Sequence, residues 1–501
     1  MIWQVLAWLG YATIVYFVAM QGYLLFLALT SAAALRRTRH LHRFGRVDEM
    51  LSTKTAPPVS ILIPAYNEEA GIVDAVRSIS IVRYPRFEIV VVNDGSTDGT
   101  LDALIEVFEL ERVRIPYRPD LPTQPIRGIY RGRGAVNITV IDKDNGGRAD
   151  ALNAALNAAR YPYALCTDAD VVLDPNCLVT AMQRVVEDRE RTVAVGGNVR
   201  PLNGSVLRLG HLVRASVPKG LTARMQLLEY LRTFLAGRPG WSAINALPLI
   251  SGAFGIWKRS AVIEVGGFTP GHMGEDLDLT MRLHRHHLER KIPYRIVYEP
   301  SAVIWTEVPT TTRVLRRQRI RWHRGLMTAV RDFMPMTFNP RYHQLGMVTW
   351  PGFVLFEFVA PVVEAAGWLV IPIAWLLGVL NTATLFWLVL LAFGMGLLNS
   401  LVALLLDESY GYFNSSQDTS RLIVMAIVEN FGMRQLTVAW RIRAMLGAGS
   451  GTWGNMERRG VRHLADREAG SQTSSSSSNV FGQSSLSSRE RERSASNLPP
   501  V

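Results

Sequence analysis

The sequence has few cysteines, and charge is almost absent from two long stretches. Among 501 residues only Cys166 and Cys177 are cysteines. Two cysteines cannot form a disulfide framework or a zinc site of the usual spacing, so the sequence favours a reducing compartment. Charged residues make up 19% of the chain, yet residues 1–35 and 346–406 contain almost none. Apolar stretches of this length predict helices that span a membrane.

The first apolar segment also lacks the arrangement of a signal peptide, because its basic residues follow the apolar run instead of preceding it. By the positive-inside rule, these residues place that end of the helix in the cytoplasm. The net charge of +12 comes with no nucleic-acid readout motif, so nucleic acid is not expected as a partner. The basic residues after the first segment are Arg36, Arg37, Arg39, Arg43 and Arg46.

Residues 57–345 alternate apolar runs with amphipathic stretches, which indicates an α/β domain with a parallel sheet. Apolar runs over residues 59–64, 88–92 and 164–167 each end in a polar segment. Ligands of such sheets bind beyond the carboxyl ends of the strands. The polar segments are therefore predicted to meet in one crevice, whereas residues 111–136 are predicted to be an irregular insertion.

Two carboxylates follow the third of these runs. Residues two apart on a strand point to the same side, so Asp168 and Asp170 could share one ligand. Carboxylate oxygens suit Mg²⁺ or Mn²⁺, which often completes its shell with substrate phosphates. A turn with an Asx cap is the alternative explanation for such a pair at a strand end.

Other polar residues could complete a site at this edge. Tyr66 and Glu68 follow the first strand, and Asp94 follows the second. Arg148 comes after a Gly-Gly pair and begins an Ala-rich helix. A cation beside exposed helix N–H groups is a reasonable diphosphate contact, and a solvated arginine is an equal alternative.

Two further motifs precede the second apolar region. Asp276 opens an amphipathic helix, where the helix dipole alone would favour an acidic first turn. Asp278 is the rival carboxylate, and we expect it to face away. The segment from Gln318 to Trp322 is basic and would also suit a cationic helix resting on anionic headgroups.

In this order, the motifs resemble those of membrane-integrated family 2 glycosyltransferases. Within that family they are most similar to the processive synthases of cellulose, hyaluronan and poly-N-acetylglucosamine. One departure is that Arg148 stands where the family usually has lysine, which keeps the charge but alters its geometry. The six segments that carry the resemblance, over about residues 57–345, are Pro64-Ala65-Tyr66-Asn67-Glu68, Asn93-Asp94-Gly95-Ser96, Asn145-Gly146-Gly147-Arg148-Ala149-Asp150-Ala151-Leu152-Asn153, Asp168-Ala169-Asp170, Gly274-Glu275-Asp276 and Gln318-Arg319-Ile320-Arg321-Trp322.

The resemblance implies a GT-A-type, Rossmann-like fold that binds a nucleotide sugar. Mg²⁺ or Mn²⁺ would be the cofactor, and it would neutralise charge that builds on the departing UDP. Asp168 and Asp170 would reach the diphosphate, with Asp170 as the direct metal ligand. The remaining donor contacts would be Tyr66, Glu68 and Asp94 for the uridine and Arg148 for the phosphate side.

The resemblance also implies the acceptor side. Asp276 would act as the base that takes a hydroxyl proton from the acceptor as its oxygen attacks the anomeric carbon. An indole suits the C–H face of a sugar, and arginine can fork onto phosphate oxygens. The residues that would receive the acceptor end and the diphosphate are Gln318, Arg319, Arg321 and Trp322.

Two features of the C-terminal apolar region leave alternatives open. Glu357 and Glu364 would either line a wet path, such as a glycan channel, or pack against a basic interfacial helix. Residues 407–420 are acidic and are expected to be extracytoplasmic, with residues 421–446 forming a final span. The predicted parts of the chain are an N-terminal transmembrane helix (1–35), a basic juxtamembrane linker (36–56), a cytoplasmic glycosyltransferase domain (57–345), three to four transmembrane or interfacial helices (346–446) and a basic, then Ser-rich, disordered tail (447–501).

The apolar segments and the family resemblance together imply a metal-dependent, inverting enzyme of the bacterial inner membrane that extends a β-glycan from a UDP-sugar and passes it across. Its expected partners are the UDP-sugar, the growing glycan, the bilayer and a separate export or regulatory subunit. One alternative adds a single sugar to a polyprenyl-phosphate lipid, which the Gln-x-x-Arg-Trp motif and the several spans argue against. Another is a non-catalytic envelope scaffold, which the intact Asp168, Asp170 and Asp276 argue against. The sequence does not name the sugar.

Overall fold

The structure is a computed structural model. It describes residues 2–44, 56–114, 117–134, 136–208, 211–408, 410, 412, 415–447 and 462–463. Residues 45–55 of the predicted linker, and the predicted tail apart from 447 and 462–463, lie outside the described residues.

Strands and helices alternate through the central part of the chain. The strands are β1 (Val59–Ala65), β2 (Phe87–Asp94), β3 (Leu110–Arg112), β4 (Ile126–Gly132), β5 (Ile138–Lys143), β6 (Tyr163–Thr167), β7 (Val171–Leu173), β8 (Thr192–Pro201), β9 (Val206–Arg208), β10 (His211–Arg214), β11 (Phe254–Lys258), β12 (Arg295–Thr306) and β13 (Arg462–His463). The α-helices are α1 (Ile2–Phe44), α2 (Ile72–Ser80), α3 (Thr100–Phe108), α4 (Arg148–Ala158), α5 (Cys177–Glu187), α6 (Leu221–Leu231), α7 (Arg238–Ala243), α8 (Arg259–Glu264), α9 (Glu275–Glu289), α10 (Thr312–Phe333), α11 (Trp350–Phe353), α12 (Ala360–Leu376), α13 (Thr382–Glu408), α14 (Ser416–Val428) and α15 (Met433–Met445). Short π-helical segments occupy Arg232–Gly237, Leu345–Thr349 and Val354–Phe358.

Ten of the described strands form one sheet in the order β3-β4-β5-β2-β1-β6-β11-β8-β12-β7. Its centre, β5-β2-β1-β6, is parallel, which confirms the predicted α/β class with a Rossmann-like core. These strands are almost wholly buried because helices cover the sheet, as their continuous apolar runs require. Since the parallel strands end along one edge, the segments that follow β1, β2, β5 and β6 meet there.

One expectation about the domain is wrong. Residues 111–136 were predicted to be irregular, but β4 lies within them and pairs antiparallel with β5, so it extends the sheet. Arginine and glycine interrupt the apolar alternation of β4 (Ile-Arg-Gly-Ile-Tyr-Arg-Gly), so its pattern does not look like that of a strand. Its place near the edge of the sheet tolerates this composition, because an outer strand is only partly buried.

Apolar helices flank the domain. Within the described residues, Trp8–Arg37 and Thr382–Glu408 are each long and apolar enough to cross a membrane. Two bent helix pairs qualify only if each pair counts as one span. They are Leu345–Phe358 with Ala360–Leu376, bent by 46°, and Ser416–Val428 with Met433–Met445, bent by 57°. The described chain thus holds two to four candidate spans by length and composition.

The two carboxylates of the first bent pair both have arginine partners on α15. Glu357 lies 3.2 Å from Arg441, and Glu364 lies 3.0 Å from Arg434. Of the two alternatives that the sequence left open, the structure therefore matches packing against a basic helix. Pairing of this kind makes a carboxylate tolerable in an apolar setting.

Asp407 and Tyr412 lie against the ten-stranded sheet, which does not match the expectation that residues 407–420 are extracytoplasmic while the domain is cytoplasmic. Asp407 forms a buried ion pair with Arg200 of β8, and the ring of Tyr412 packs 5.4 Å from that of Trp305 in β12. The carboxylate of Asp407 is held at the sheet by the buried Arg200. The pattern of charges along the sequence does not reveal this partner. A buried cation without its partner would be strongly destabilising.

The predicted final span over residues 421–446 falls on the second bent pair, which by length and composition is either a broken span or a re-entrant loop. Leu422, near the start of α14, packs with Leu227 and Leu231 of α6. Near the end of α15, Trp440 and Ala444 pack in one apolar cluster that also includes residues of α10. Both ends of the bent pair thus contact helices of the same domain, and the final span stays a prediction.

Candidate active site

The loops that follow β1 and β2 are locked to each other at the carboxyl edge of the sheet. Asn67 adopts a left-handed conformation (φ +54°), and its Oδ1 accepts a hydrogen bond from the N–H of Thr97 at 2.8 Å. The N–H of Glu68 donates to Oγ1 of Thr100 at 2.9 Å. Tyr66 remains half exposed (50%) on this edge, so its ring is accessible to a planar aromatic ligand.

Asp94, at the end of β2, is buried and holds the turn that precedes α4. Its Oδ1 accepts from Nζ of Lys143 at 2.6 Å and from the N–H of Gly146 at 3.0 Å, and its Oδ2 accepts from the N–H of Gly147 at 2.8 Å. Lys143 is fully buried and also contacts Asp150 at 2.5 Å. Both oxygens of Asp94 are thus engaged within the protein, and its predicted contact with uridine stays a prediction.

Sequence reasoning did not single out Lys143 or Asp150. A lysine that ends the buried apolar strand β5 is the signal that could have found them, since a buried ammonium needs carboxylate partners. The ion pairs of Lys143 with Asp94 and Asp150 fix the position of the turn over residues 145–147 relative to the sheet. Helix α4 begins directly after this turn.

Arg148 joins three separate segments of the chain. Its Nε donates to Oδ1 of Asp168 at 2.8 Å, Nη1 donates to Oε1 of Glu275 at 2.6 Å, and Nη2 donates to the carbonyl of Gly252 at 2.7 Å. Burial alone would lower the pKa of the Arg148 guanidinium, but the charges of Asp168 and Glu275 raise it above its usual value. The side chain is therefore a permanent cation, and a lysine could not make all three contacts in this geometry.

Asp168 and Asp170 lie in the turn between β6, which ends at Thr167, and β7, which starts at Val171. The argument that they share one strand therefore fails, because a turn and not a strand places them. Asp168 is one-third exposed, and Asp170 is half-buried. Burial raises the pKa of the neighbouring Cys166 to about 12, so that thiol is not a nucleophile at neutral pH.

The donor set at this turn fits Mg²⁺ or Mn²⁺. It offers hard carboxylate oxygens, which these ions prefer. Among the described residues there is no group of three or more His, Cys, Asp or Glu that could hold a metal ion. One or two carboxylates with substrate phosphates are a common shell for these ions. The assignment of Asp168 and Asp170 as ligands stays a prediction.

Asp276 stands in the first turn of α9, and its carboxylate is held by two N–H groups. Oδ2 accepts from Gly252 at 2.9 Å, and Oδ1 accepts from Leu277 at 2.8 Å. Burial and the neighbouring charge of Glu275 raise the pKa of Asp276. Gly252 thus links the two sides of the site, because its N–H reaches Asp276 and its carbonyl reaches Arg148. Sequence reasoning expected residues 250–257 to form a strand and tight turn near the acceptor, but it assigned no contact to Gly252 and no role to the carboxylate of Glu275.

Asp278 has a different environment. It is buried, and its Oδ2 accepts from Oγ1 of Thr269 at 2.6 Å and from Nε of Arg282 at 2.9 Å. These contacts fasten the loop before α9 to the helix itself. The carboxylate of Asp278 therefore stabilises this loop and helix, and it does not bond to the N–H groups that hold Asp276.

Helix α10 brings its predicted residues to two different places. Burial lowers the pKa of Arg321, and the carboxylates of Glu275 and Asp168 oppose this shift, so Arg321 lies within reach of their charges. Arg319 is instead buried against Glu229 of α6. Trp322 is 40% exposed.

Gln318 is half-buried on the same helix, and its Oε1 has no hydrogen-bond partner within the described part of the chain. Further along α10, Gly325 lies against the loop that leads to Asp276. A Cβ at Gly325 would lie 3.0 Å from the carbonyl oxygen of Met273, which is tighter than about nine in ten real Cβ contacts. Glycine therefore permits α10 to approach the loop that carries the candidate base.

Together these contacts form one site of mixed charge. Two arginines, Arg148 and Arg321, lie at the edge where the carboxylates converge, and a carboxylate of raised pKa lies beside them. Cations at such an edge can bind a diphosphate. A carboxylate with raised pKa can accept a proton near neutral pH.

The family model for glycosyl transferase family 2 matches residues 60–238, and that for glycosyl transferase family group 2 matches residues 163–399. The poly-β-1,6-N-acetyl-D-glucosamine synthase of Staphylococcus epidermidis is 28% identical over 309 residues, which are 59% of this chain and 63% of that protein. The same enzyme of Staphylococcus aureus (strain COL) is 28% identical over 285 residues, 57% of this chain and 58% of that protein. The matches thus span less than two thirds of these relatives.

Among solved structures, the mannosyltransferase of Pyrobaculum calidifontis with GDP-Man and Mn²⁺ is 20% identical, with 85% of this chain and 98% of that chain covered and a TM-score of 0.44. The glucosyl-3-phosphoglycerate synthase of Mycobacterium tuberculosis with Mn²⁺ and UDP-glucose is 17% identical, with 57% and 83% covered and a TM-score of 0.34. On the family and sequence matches, the chain is a family 2 glycosyltransferase that resembles poly-β-1,6-N-acetylglucosamine synthase.

Proposed function

We propose that this glycosyltransferase is a processive β-glycan synthase that uses a UDP-sugar and inverts the anomeric configuration. The observation that carries the proposal is the bridge made by Arg148, which joins Asp168 on the donor side to Glu275, the residue before the candidate base. The names of the sequence relatives support polymer synthesis. They also make UDP-N-acetylglucosamine the first donor to test.

On the donor side, Arg148 and Arg321 bind the diphosphate, and Tyr66 stacks on the uracil. Asp170, with Asp168 beside it, would hold Mg²⁺ or Mn²⁺. When bound, the metal supplies positive charge that stabilises the leaving diphosphate. Because Arg148 already contacts Asp168, the diphosphate enters a site whose cation is fixed beforehand, which lowers the cost of ordering it.

On the acceptor side, Asp276 takes the proton of the acceptor hydroxyl as that oxygen bonds to the anomeric carbon. The bond from that carbon to the UDP oxygen breaks, and UDP leaves with the electron pair. The N–H groups of Gly252 and Leu277 hold the carboxylate in place for this transfer. The raised pKa of Asp276 makes it a stronger base than an exposed aspartate.

The membrane arrangement is part of the proposal. The first helix, the bent pair over residues 345–376 and α13 cross the bacterial inner membrane, and Arg36 and Arg37 keep the catalytic domain in the cytoplasm. Trp322 lies on the helix that precedes these C-terminal spans, so a glycan that stacks on it is delivered to them. The enzyme thereby passes its product across.

The base assignment predicts that Asp276→Asn slows transfer by roughly 10²–10⁴ with UDP binding nearly unchanged. Wild-type activity should fall as the pH drops through the pKa of Asp276, because only the deprotonated form accepts a proton. An ordinary aspartate has a pKa of about 3.9. Because burial and Glu275 raise the pKa of Asp276, the fall in activity should occur at a higher pH than that. Single-turnover rates across pH measure it. If folded Asp278→Asn is inactive and Asp276→Asn is not, the wrong carboxylate has been assigned.

The metal assignment predicts that EDTA abolishes transfer and that added Mn²⁺ or Mg²⁺ restores it. Asp170→Ala should be inactive at every metal concentration, since one protein carboxylate is lost from the shell. Release of UDP by purified protein is the measurement. Undiminished transfer in EDTA would remove the metal from the mechanism.

The acceptor assignment predicts that Trp322→Ala makes shorter glycans. Loss of a stacking partner costs about 1–3 kcal/mol if sugars stack as bases do, which lowers the rate about five- to a hundredfold. The size distribution of the product in membranes measures this, and Trp387→Ala, on α13, is the control. A wild-type product that is only a lipid with one sugar, unaffected by Trp322→Ala, would instead establish the single-sugar transferase.

A further inference from the structure

Helices α6 and α10 are joined by an ion pair between the half-buried Glu229 and the buried Arg319. Nη2 of Arg319 donates to Oε2 of Glu229 at 2.8 Å, and Nη1 donates to Oε1. Arg319 is only 7% exposed, so its charge depends on this bidentate partner. Apolar packing between Met225 of α6 and Leu315 and Ile320 of α10 surrounds the pair.

The same guanidinium lies over the indole of Trp322. Its Cζ is 4.7 Å from the ring centroid, within the range of a cation–π contact. Residues three apart on a helix are neighbours, so the contact follows from the helix itself once Arg319 is held in place. The cation covers part of the ring, and the remaining exposed area is the surface available to a sugar.

We propose that Glu229 is a positioning residue that fixes Arg319 over Trp322 and thereby sets the orientation of the indole that receives the glycan end. The inference rests on the proposed function, because it assigns a support to the acceptor side of that site. Glu229 does not touch the substrate. Its effect is on how long the chain end stays bound, and the donor site is unaffected.

The first test uses the full-length enzyme in membranes. Glu229→Gln keeps the size of the side chain but leaves Arg319 without a charged partner, so the guanidinium no longer stays over the ring. Mean product length should fall about two- to tenfold, as expected for loss of a cation–π contact, with the KM for UDP-sugar unchanged. The matched control is Glu429→Gln, which breaks the bidentate pair of Arg232, just beyond α6, and should leave product length unchanged.

Two double variants separate positioning from simple support of the fold. Glu229→Gln with Arg319→Gln restores an uncharged hydrogen-bonded pair, and its products should remain short because no cation covers the ring. Recovery of wild-type length would overturn the proposal. Glu229→Gln with Trp322→Ala should give products no shorter than Trp322→Ala alone, and additive shortening would also overturn it.

A readout that does not depend on synthesis distinguishes this inference from the proposed function. In protein labelled with 5-fluorotryptophan, the ¹⁹F resonance of Trp322 is assigned by its loss in Trp322→Phe. It should shift in Glu229→Gln and stay in place in Glu429→Gln. An unshifted resonance overturns the positioning role even if the enzyme makes polymer. A shifted resonance with no polymer from wild type overturns the proposed function alone.

Discussion

The site depends on one largely buried cation, Arg148, whose side chain is 11% exposed. The guanidinium of Arg148 holds Asp168, Glu275 and the carbonyl of Gly252 at 2.6 to 2.8 Å. Removing such a charge from water is costly unless every donor is satisfied, so the three segments that carry these acceptors must converge on it. Those segments are the turn between β6 and β7, the loop before β11 and the start of α9. They carry the candidate metal carboxylates, the support of the candidate base and the base itself.

The parallel sheet supplies the frame for this convergence. Strand β2 pairs with β5 so that Asp94 lies opposite Lys143, and the ion pair between them holds the turn from which α4 and Arg148 start. Removing one partner of a buried pair usually costs about 3–5 kcal/mol. The height of Arg148 above the sheet is therefore set by residues that need not touch a substrate. The same logic applies on α10, where Arg319 is anchored and Trp322 stays exposed.

The sequence predicted the parts of the fold and site that depend on local pattern. Polar residues after apolar runs identified the strand ends at Tyr66, Asp94 and Asp168, because buried parallel strands are continuously apolar. Partners distant in sequence were not predictable in this way. Two ion pairs leave no periodic signal in the sequence, namely Glu229 with Arg319 and Arg200 with Asp407. The second pair places the end of α13 against the sheet, where the sequence had not predicted it. Strand β4 was missed because arginine and glycine break its alternation.

The most direct measurement is the donor affinity and the single-turnover transfer rate of Arg148→Lys, determined on the same preparation. A lysine keeps the charge, so UDP affinity should stay within about threefold of wild type. It cannot hold Asp168, Glu275 and Gly252 at once, and losing charge-assisted hydrogen bonds of about 1.5–3 kcal/mol should slow transfer at least about tenfold. Transfer at the wild-type rate would contradict the claim that this cation unites the donor and acceptor sides of the site.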